Sequence, residues 1–390
     1  MKQGGAFVAL VVLAGVLACS NDAGSGGGGR GDSQSIEVYD YKPHYACSDA
    51  GQNNAILWIE SVLSGADGNA PPDFFAISQL EKQSIDLPQD FESLGAFCDH
   101  AGSERYADVI GLFYDASRWT LTDSFPTDAA GNACPLPDDS PLPATCVQGE
   151  STPCCACAGD PAAIAVPEAG KNGDRAFAIG RFEDQAGNEL CVVTANLPHP
   201  IGPDGKRGCD TQTPIDCVPN ADGTGFFGTE NFIDQLTLLC GDVQRTIFLG
   251  DTNATNPNWA LTQMFPVGAM SQMVESDNEH YTCCFDPNPE PPTEAPAVNR
   301  YPTDRIGAQG ALSIFTTGGT DSPGVVMRSP TVYEFDTCPL ASPAKSFGFP
   351  CCGSDEEHAP MRSIIDFDFE FEFDAESADS GARTLPPLGF

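Results

Sequence analysis

Apolar residues in this chain fall mostly in continuous blocks or at a period of two, and three stretches read as helices. Residues 35–41 alternate and predict a first strand. Residues 54–63 (NAILWIESVL) carry apolar side chains at helical spacing and predict a helix ending near Gly65. Residues 73–80 (DFFAISQL) and 106–114 (YADVIGLFY) read as buried strands, with a second helix expected over 90–97 and a turn over 115–119. Residues 175–182 and 190–197 form an expected strand pair around Ala186, Gly187 and Asn188, and residues 229–240 an expected helix. Residues 246–249 (TIFL) form a short apolar strand, closed by Gly250, whose conformational freedom suits a tight turn. Short strands are expected over 311–316 and 324–328. Residues 363–374 (SIIDFDFEFEFD) alternate apolar with acidic, the best period-two strand in the chain, so Phe367, Phe369, Phe371 and Phe373 face a core while the carboxylates between them face water. Strands outnumber helices and alternate with them, with no evident repeat. The expected class is α/β (α+β): two packed mixed β-sheets flanked by helices.

The remaining stretches set the domain boundaries. Residues 1–19 read as a leader: Lys2 supplies the positive charge, and 6–18 form an apolar run of 13, short for a membrane span and suited to a signal sequence. Small residues before Cys19 resemble a bacterial lipobox, which would lipidate Cys19; simple cleavage is the alternative. Residues 20–34 form a Gly-rich linker. A single domain over 35–375 follows, with a Pro- and Cys-rich insertion near 123–172, and residues 376–390 are a tail. Of the 17 cysteines, 16 remain after Cys19, an even number that can pair in an oxidising compartment. The sequence therefore predicts export, to the cell surface as a lipoprotein or to the medium, with membrane attachment only through a lipid on Cys19 and a monomeric exported part.

Charge narrows the partners. Lys+Arg number 18 against 55 Asp+Glu, a formal net charge of −37. Such a surface repels nucleic acid and anionic membranes at long range and concentrates divalent cations.

Candidate chemistry gathers at the ends of predicted strands: Lys42, Glu81, Asn196 with His199, Asp251 with Asn253, Asp304 with Arg305, and Asp355 with His358. Carboxylates at several strand ends are a way for an α/β sheet to hold a cation along one edge. A histidine beside them can exchange a proton near neutral pH. Asp251 and Asn253, two positions apart at a strand mouth, offer a carboxylate and a neutral amide to the same side.

Several segments, in order, resemble the endonuclease/exonuclease/phosphatase family with its DNase-I-like four-layer sandwich. Residues 73–81 (DFFAISQLE) resemble the strand that ends in the family's metal-binding glutamate. Residues 109–119 (VIGLFYDASRW) resemble the strand and turn that follow, and 192–199 (VVTANLPH) the segment with the first histidine. Residues 249–253 (LGDTN) resemble the Gly-Asp-x-Asn signature, 304–306 (DRI) the start of the strand before the last motif, and 354–360 (SDEEHAP) the closing Ser-Asp-His. The resemblance implies a phosphoesterase that uses Mg2+ (or Ca2+ or Mn2+). Glu81 and Asp355 would hold the metal. Asp251, His358, His199 and Asp355 would be catalytic, and Asn253, Asn196 and Lys42 would contact the substrate phosphate. The substrate class implied is a small phosphodiester, phosphomonoester or lipid headgroup, with nucleic acid disfavoured by the net charge.

The departures from the family pattern bear on activity. Lys42 or a near neighbour stands where the family has asparagine; it either binds phosphate as a point charge or occupies the cation's place. Asn196 stands for the first histidine and cannot exchange a proton near pH 7. Glu356 and Glu357 separate Asp355 from His358. An active hydrolase and a catalytically weakened cell-surface binding module on the same fold both follow from these residues. If Asp251 is an open-cleft carboxylate, Asp251→Asn is expected to leave folding nearly untouched.

Overall fold

The computed structural model describes residues 33–42, 49–79, 85–99, 107–136, 153–159, 175–202, 217–220, 225, 227–241, 245–253, 270–274, 312–317, 325–332 and 361–368. The chain divides after Gly31 into two compact units, and every described residue belongs to the second. In chain order the elements are β1 (Ser33–Tyr41), α1 (Asp49–Leu63), β2 (Phe74–Ser78), β3 (Phe91–Asp99), β4 (Ala107–Asp115), β5 (Trp119–Phe125), β6 (Phe177–Asp184), β7 (Glu189–Asn196), α2 (Glu230–Cys240), β8 (Thr246–Asp251), β9 (Met270–Val274), β10 (Leu312–Thr317), β11 (Val325–Val332) and β12 (Met361–Asp368).

The strands form two six-stranded mixed sheets, ordered β11-β12-β1-β2-β4-β3 and β5-β6-β7-β8-β10-β9. Each is built around one parallel pair, β1 with β2 and β7 with β8, and each pair is joined through a helix, as a parallel connection requires. On both sides of each pair the neighbours are antiparallel. The two halves thus repeat one topology that the sequence does not display as a repeat.

Period-two packing decides which side chains lie between the sheets. On β2, Phe74 and Ala76 join the central core, whereas Phe75 and Ile77 join a second cluster with Tyr39, Tyr41 and the buried face of α1. Trp58 of α1 packs against Tyr39, Tyr41 and Phe75 at centroid distances of 6.4, 5.3 and 5.8 Å. Phe182 of β6 crosses the interior to meet Phe74 and Tyr114 of the other sheet, each at 5.0 Å. Ring pairs of this kind contribute about 0.5–1.5 kcal/mol beyond area burial. On the outer side of the second sheet, α2 buries Phe232, Leu236, Leu239 and Cys240. Phe232 packs edge-on against Phe177 at 5.2 Å, and the Cys191–Cys240 disulfide fixes α2 to β7.

Three expectations are corrected. Residues 90–97 are not a helix but belong to strand β3, paired along its whole length with β4. Leu94 to Cys98 are buried without a break, and a continuous apolar run does not distinguish strand from helix. Gly95 carries the physical reason: a Cβ there would lie 2.5 Å from the Leu136 Cα, because the insertion lies directly over this strand. The irregular insertion begins after Phe125 rather than at 123, since β5 runs to that residue. Cys134–Cys154 closes part of it, and Cys98–Cys157 ties it to β3. Finally, Gly250 does not turn the chain. β8 continues through it, and its missing side chain admits Ala195 of β7, whose carbonyl oxygen would lie 1.9 Å from a Cβ at 250. On β12, Ser363 and Ile365 are buried while Arg362, Ile364 and Asp366 are partly exposed. The side chain of Phe367, like Phe369, Phe371 and Phe373, lies outside what the structure describes.

Candidate active site at the polar end of the inter-sheet core

The inward-facing row of each central strand changes from apolar to polar at the same end of the sandwich. On β1 it runs Ile36, Val38, Asp40, with Lys42 next in phase; on β2, Phe74, Ala76, Ser78; on β7, Leu190, Val192, Thr194, Asn196; on β8, Ile247, Leu249, Asp251. β4 runs the opposite way and brings Asp108 to this end. Every one of these polar residues is buried, at 2% exposure or less. Desolvating this many polar groups is costly unless partners are supplied, so their partners define the site.

Two of the carboxylates are partnered. Asp108 accepts the Ala176 backbone N–H at 2.7 Å and the Asn196 side-chain amide at 3.0 and 3.1 Å. Asn196 Oδ1 in turn accepts Asn253 Nδ2 at 2.8 Å, and Asn253 Nδ2 also donates to the Leu197 carbonyl at 2.6 Å. The direction of this chain is forced, because a carboxylate at one end and a carbonyl at the other can only accept. Both amide hydrogens of Asn253 therefore point into the protein, and its Oδ1 is left as the outward group. Asn253 adopts φ 50°, the left-handed conformation that asparagine tolerates. Its backbone N–H closes a turn onto Asp251 Oδ1 at 2.7 Å.

Asp251 Oδ2 accepts Lys42 Nζ at 2.5 Å, and both side chains are buried. Asp40 lies on β1 two residues before Lys42, close enough to Asp251 and Lys42 to feel both charges. Neither of its oxygens makes a hydrogen bond of normal geometry, and it is fully buried. Burial first, and the Asp251 charge second, hold the Asp40 carboxyl well above the usual carboxylate range; the Gly250 and Tyr41 backbone groups and Lys42 pull it back only in part. The hydroxyls of Ser78, Thr194 and Thr252 and the Gln79 Oε1 also have no partner among the described residues.

Two six-stranded mixed sheets face each other, a helix covers the outside of each, and the LGDTN and VVTANLPH segments meet at one end of the cleft. The fold is that of the endonuclease/exonuclease/phosphatase family. No family model and no curated protein matches the chain. Among solved structures it is similar to an endonuclease/exonuclease/phosphatase family protein from Bacteroides thetaiotaomicron, at 14% identity over 87% of this chain and 98% of that one, TM-score 0.45. It is also similar to one from Bacteroides vulgatus, at 12% identity over 86% and 99%, TM-score 0.44. A third is a mannosyl-6-phosphatase from Bacteroides thetaiotaomicron, at 14% identity over 85% and 100%, TM-score 0.43.

Of the residues singled out by sequence, the sandwich brings Lys42, Asn196, Asp251 and Asn253 together. His199 is described and buried at 9% exposure in the segment after β7. Glu81, Asp304, Arg305, Asp355 and His358 lie outside the described residues. Two site residues went unread in the sequence. Asp40 sits two positions before Lys42, so the alternation of residues 35–41 placed both on one face. Asp108 opens a block read only as an apolar strand, and its charge at an inward position was the available signal.

The described donors do not fit a divalent cation at Asp251. Both of its oxygens are engaged, one by an ammonium. A second cation about 4 Å from that ammonium would be opposed by roughly 4 kcal/mol per unit charge at an effective dielectric of about 20. No group of three or more metal-ligating side chains occurs among the described residues. The remaining ligands read from the sequence, Glu81 and Asp355, lie outside them.

Proposed function

We propose that the chain is a hydrolase of phosphate esters, with its reaction at the polar end of the inter-sheet core. The observation that carries this reading is the buried Lys42–Asp251 pair beside the unpartnered Asp40, at the mouths of the two central parallel pairs. Buried charge left incompletely paired at strand ends marks a site more often than a scaffold. In this reading Asp251, fixed by Lys42 and by the Asn253 N–H, orients the attacking water. Lys42 faces the negative charge that develops on the phosphoryl oxygens. His199, or His358 assisted by Asp355, supplies the proton exchange that Asn196 cannot. The Mg2+ (or Ca2+ or Mn2+) implied by the resemblance would rest on Glu81 and Asp355, and no step is derived through it. The substrate class is a small phosphodiester, phosphomonoester or lipid headgroup, because the net charge of −37 works against long nucleic acid.

Export belongs to the same proposal. Three disulfides lie among the described residues, and Cys155 and Cys217 are disulfide-bonded as well, a usage that suits an oxidising compartment. No helix among the described residues is long and apolar enough to cross a membrane. A leader over 1–19, lipidated at Cys19 or simply cleaved, a linker over 20–34, a catalytic domain over 35–375 and a tail over 376–390 complete the proposed organisation, with the exported part monomeric.

A binding module is the second reading. It is favoured by Asn196, whose amide is saturated by Asp108 and Asn253 at the position where the family has a histidine. The full chain, assayed on bis(p-nitrophenyl) phosphate and p-nitrophenyl phosphate with EDTA or with Mg2+, separates the two. The hydrolase reading expects turnover of at least one ester. Binding of inorganic phosphate without turnover of either ester, in either condition, would leave the binding module.

A further inference from the structure

We propose that Lys42 is the resident cation of this site: its buried ammonium, clamped to Asp251 beside the unpartnered Asp40, takes a phosphoryl oxygen directly, so that phosphate binding there needs no divalent ion. The inference rests on the phosphate-site reading above and departs from the metal that the resemblance implies.

The geometry supports it in three ways. Lys42 has three N–H bonds and spends one, on Asp251 Oδ2; the other two have no acceptor among the described residues, although the side chain is 3% exposed. A buried ammonium with unmet donors is costly, and an anionic ligand satisfies it at once. Next, the pair is locally neutral, so Asp251 does not repel an incoming phosphate as a free carboxylate would. Third, most of the other unpartnered groups at this end are donors or become donors. Ser78, Thr194 and Thr252 each carry a free hydroxyl. Burial and the neighbouring Asp251 push the Asp40 carboxyl toward its neutral form, in which it donates an O–H to a phosphate oxygen. The acceptor-rich list read from the sequence therefore becomes a donor-lined end once Lys42 is seated on Asp251. Among the described residues, the Gln79 Oε1 is an unpartnered atom there that can only accept.

The test is calorimetric titration of inorganic phosphate into the full chain at pH 7, in EDTA and in Mg2+. The expected result is the same Kd within about threefold in the two conditions. Lys42→Gln is expected to weaken phosphate binding in EDTA by about tenfold or more, the scale of one charge-assisted hydrogen bond. The same variant, with Asp251 released from the ammonium and no resident cation left to repel a second one, is expected to bind Mn2+ at least about tenfold more tightly than the wild type, read by the EPR signal of free Mn2+. If Lys42→Gln fails to fold, the charge-balanced Lys42→Gln/Asp251→Asn variant carries the phosphate measurement. Wild-type binding of phosphate only with Mg2+ overturns the proposal and spares the phosphate site. Wild-type binding in EDTA that the variants leave unchanged overturns it as well. No phosphate binding in either condition removes the proposal together with the reading it rests on.

Discussion

Asp73 and Asp40 are both buried carboxylates on the first sheet, and their surroundings are opposite. Asp73, immediately before β2, accepts the Glu37 backbone N–H at 2.8 Å and Trp119 Nε1 at 2.9 Å, and pairs with the Arg118 guanidinium at 2.6 Å. It fastens β1, the start of β2 and the turn into β5. Asp40, near the far end of β1, makes no hydrogen bond of normal geometry. Burial is the first cause of an upward shift in both; at Asp73, Glu37, Trp119 and Arg118 work against it, whereas at Asp40 the charge of Asp251 adds to it. Burial alone therefore does not mark a functional carboxylate. A carboxylate whose acceptor capacity is filled by the fold is explained by the fold. One left open beside an ammonium and a second carboxylate points to a partner that the described protein groups do not supply.

The largest expected effect comes from breaking the site's own ion pair. Asp251→Asn is expected to lower turnover by about 10²–10⁴-fold, the usual scale for a positioned base. The open-cleft picture predicted no cost in folding. The buried pair predicts a loss of about 3–5 kcal/mol, because Lys42 is left charged and uncompensated. Lys42→Gln/Asp251→Asn should regain most of that stability and none of the rate. A folded Asp251→Asn with wild-type turnover would falsify the assignment of Asp251 to catalysis.

Smaller, and confined to stability, is the effect of emptying the other end. Asp73→Ala removes the acceptor from two buried N–H donors and is expected to cost on the order of 3 kcal/mol. Little of that belongs to Arg118, whose side chain is 42% exposed and regains water. Urea unfolding should show a lower midpoint with an unchanged slope, and turnover measured well below the melting temperature should stay as in the wild type. A loss of turnover without a loss of stability would contradict the contrast between the two aspartates.

Much of this was legible in the sequence, for identifiable reasons. Blocks such as TIFL and the alternation of residues 35–41 are short-range signals, and β8 and β1 lie where these signals place them. The polar residues at strand ends were also visible, since each is a charge or amide closing an apolar run. What the sequence concealed depends on contacts across the sandwich. Gly95 and Gly250 are glycines because Leu136 and Ala195 approach them from other segments, and the first of these approaches accompanies a strand that reads locally as a helix. The amide chain from Asp108 through Asn196 to Asn253 joins three loci, and only their meeting reveals that the Asn253 N–H bonds are spent inward. Lys42 was open to two roles, as phosphate ligand or as replacement for a cation, until its 2.5 Å contact with Asp251 linked the two.

The smallest effect tests the unpartnered aspartate by pH. In the unfolded chain Asp40 titrates near the ordinary carboxylate value of about 3.9. In the folded chain burial, and then the Asp251 charge, push it up. Between those two values the folded protein keeps a proton that the unfolded chain has released. Stability is then fullest below the ordinary carboxylate range and falls as pH rises toward the folded value. Asparagine keeps the size of the side chain and cannot ionise. Asp40→Asn is therefore expected to match the wild type near pH 4 and to exceed it by on the order of 1 kcal/mol at pH 7–8, a few degrees in Tm. Chemical denaturation at each pH between 4 and 8, for both proteins in EDTA, reads the gap. Parallel profiles, or a gap that opens toward acid, would mean that the folded protein holds the ionised form of Asp40 as well as water does, and the reading of Asp40 as a desolvated, open carboxylate would fail.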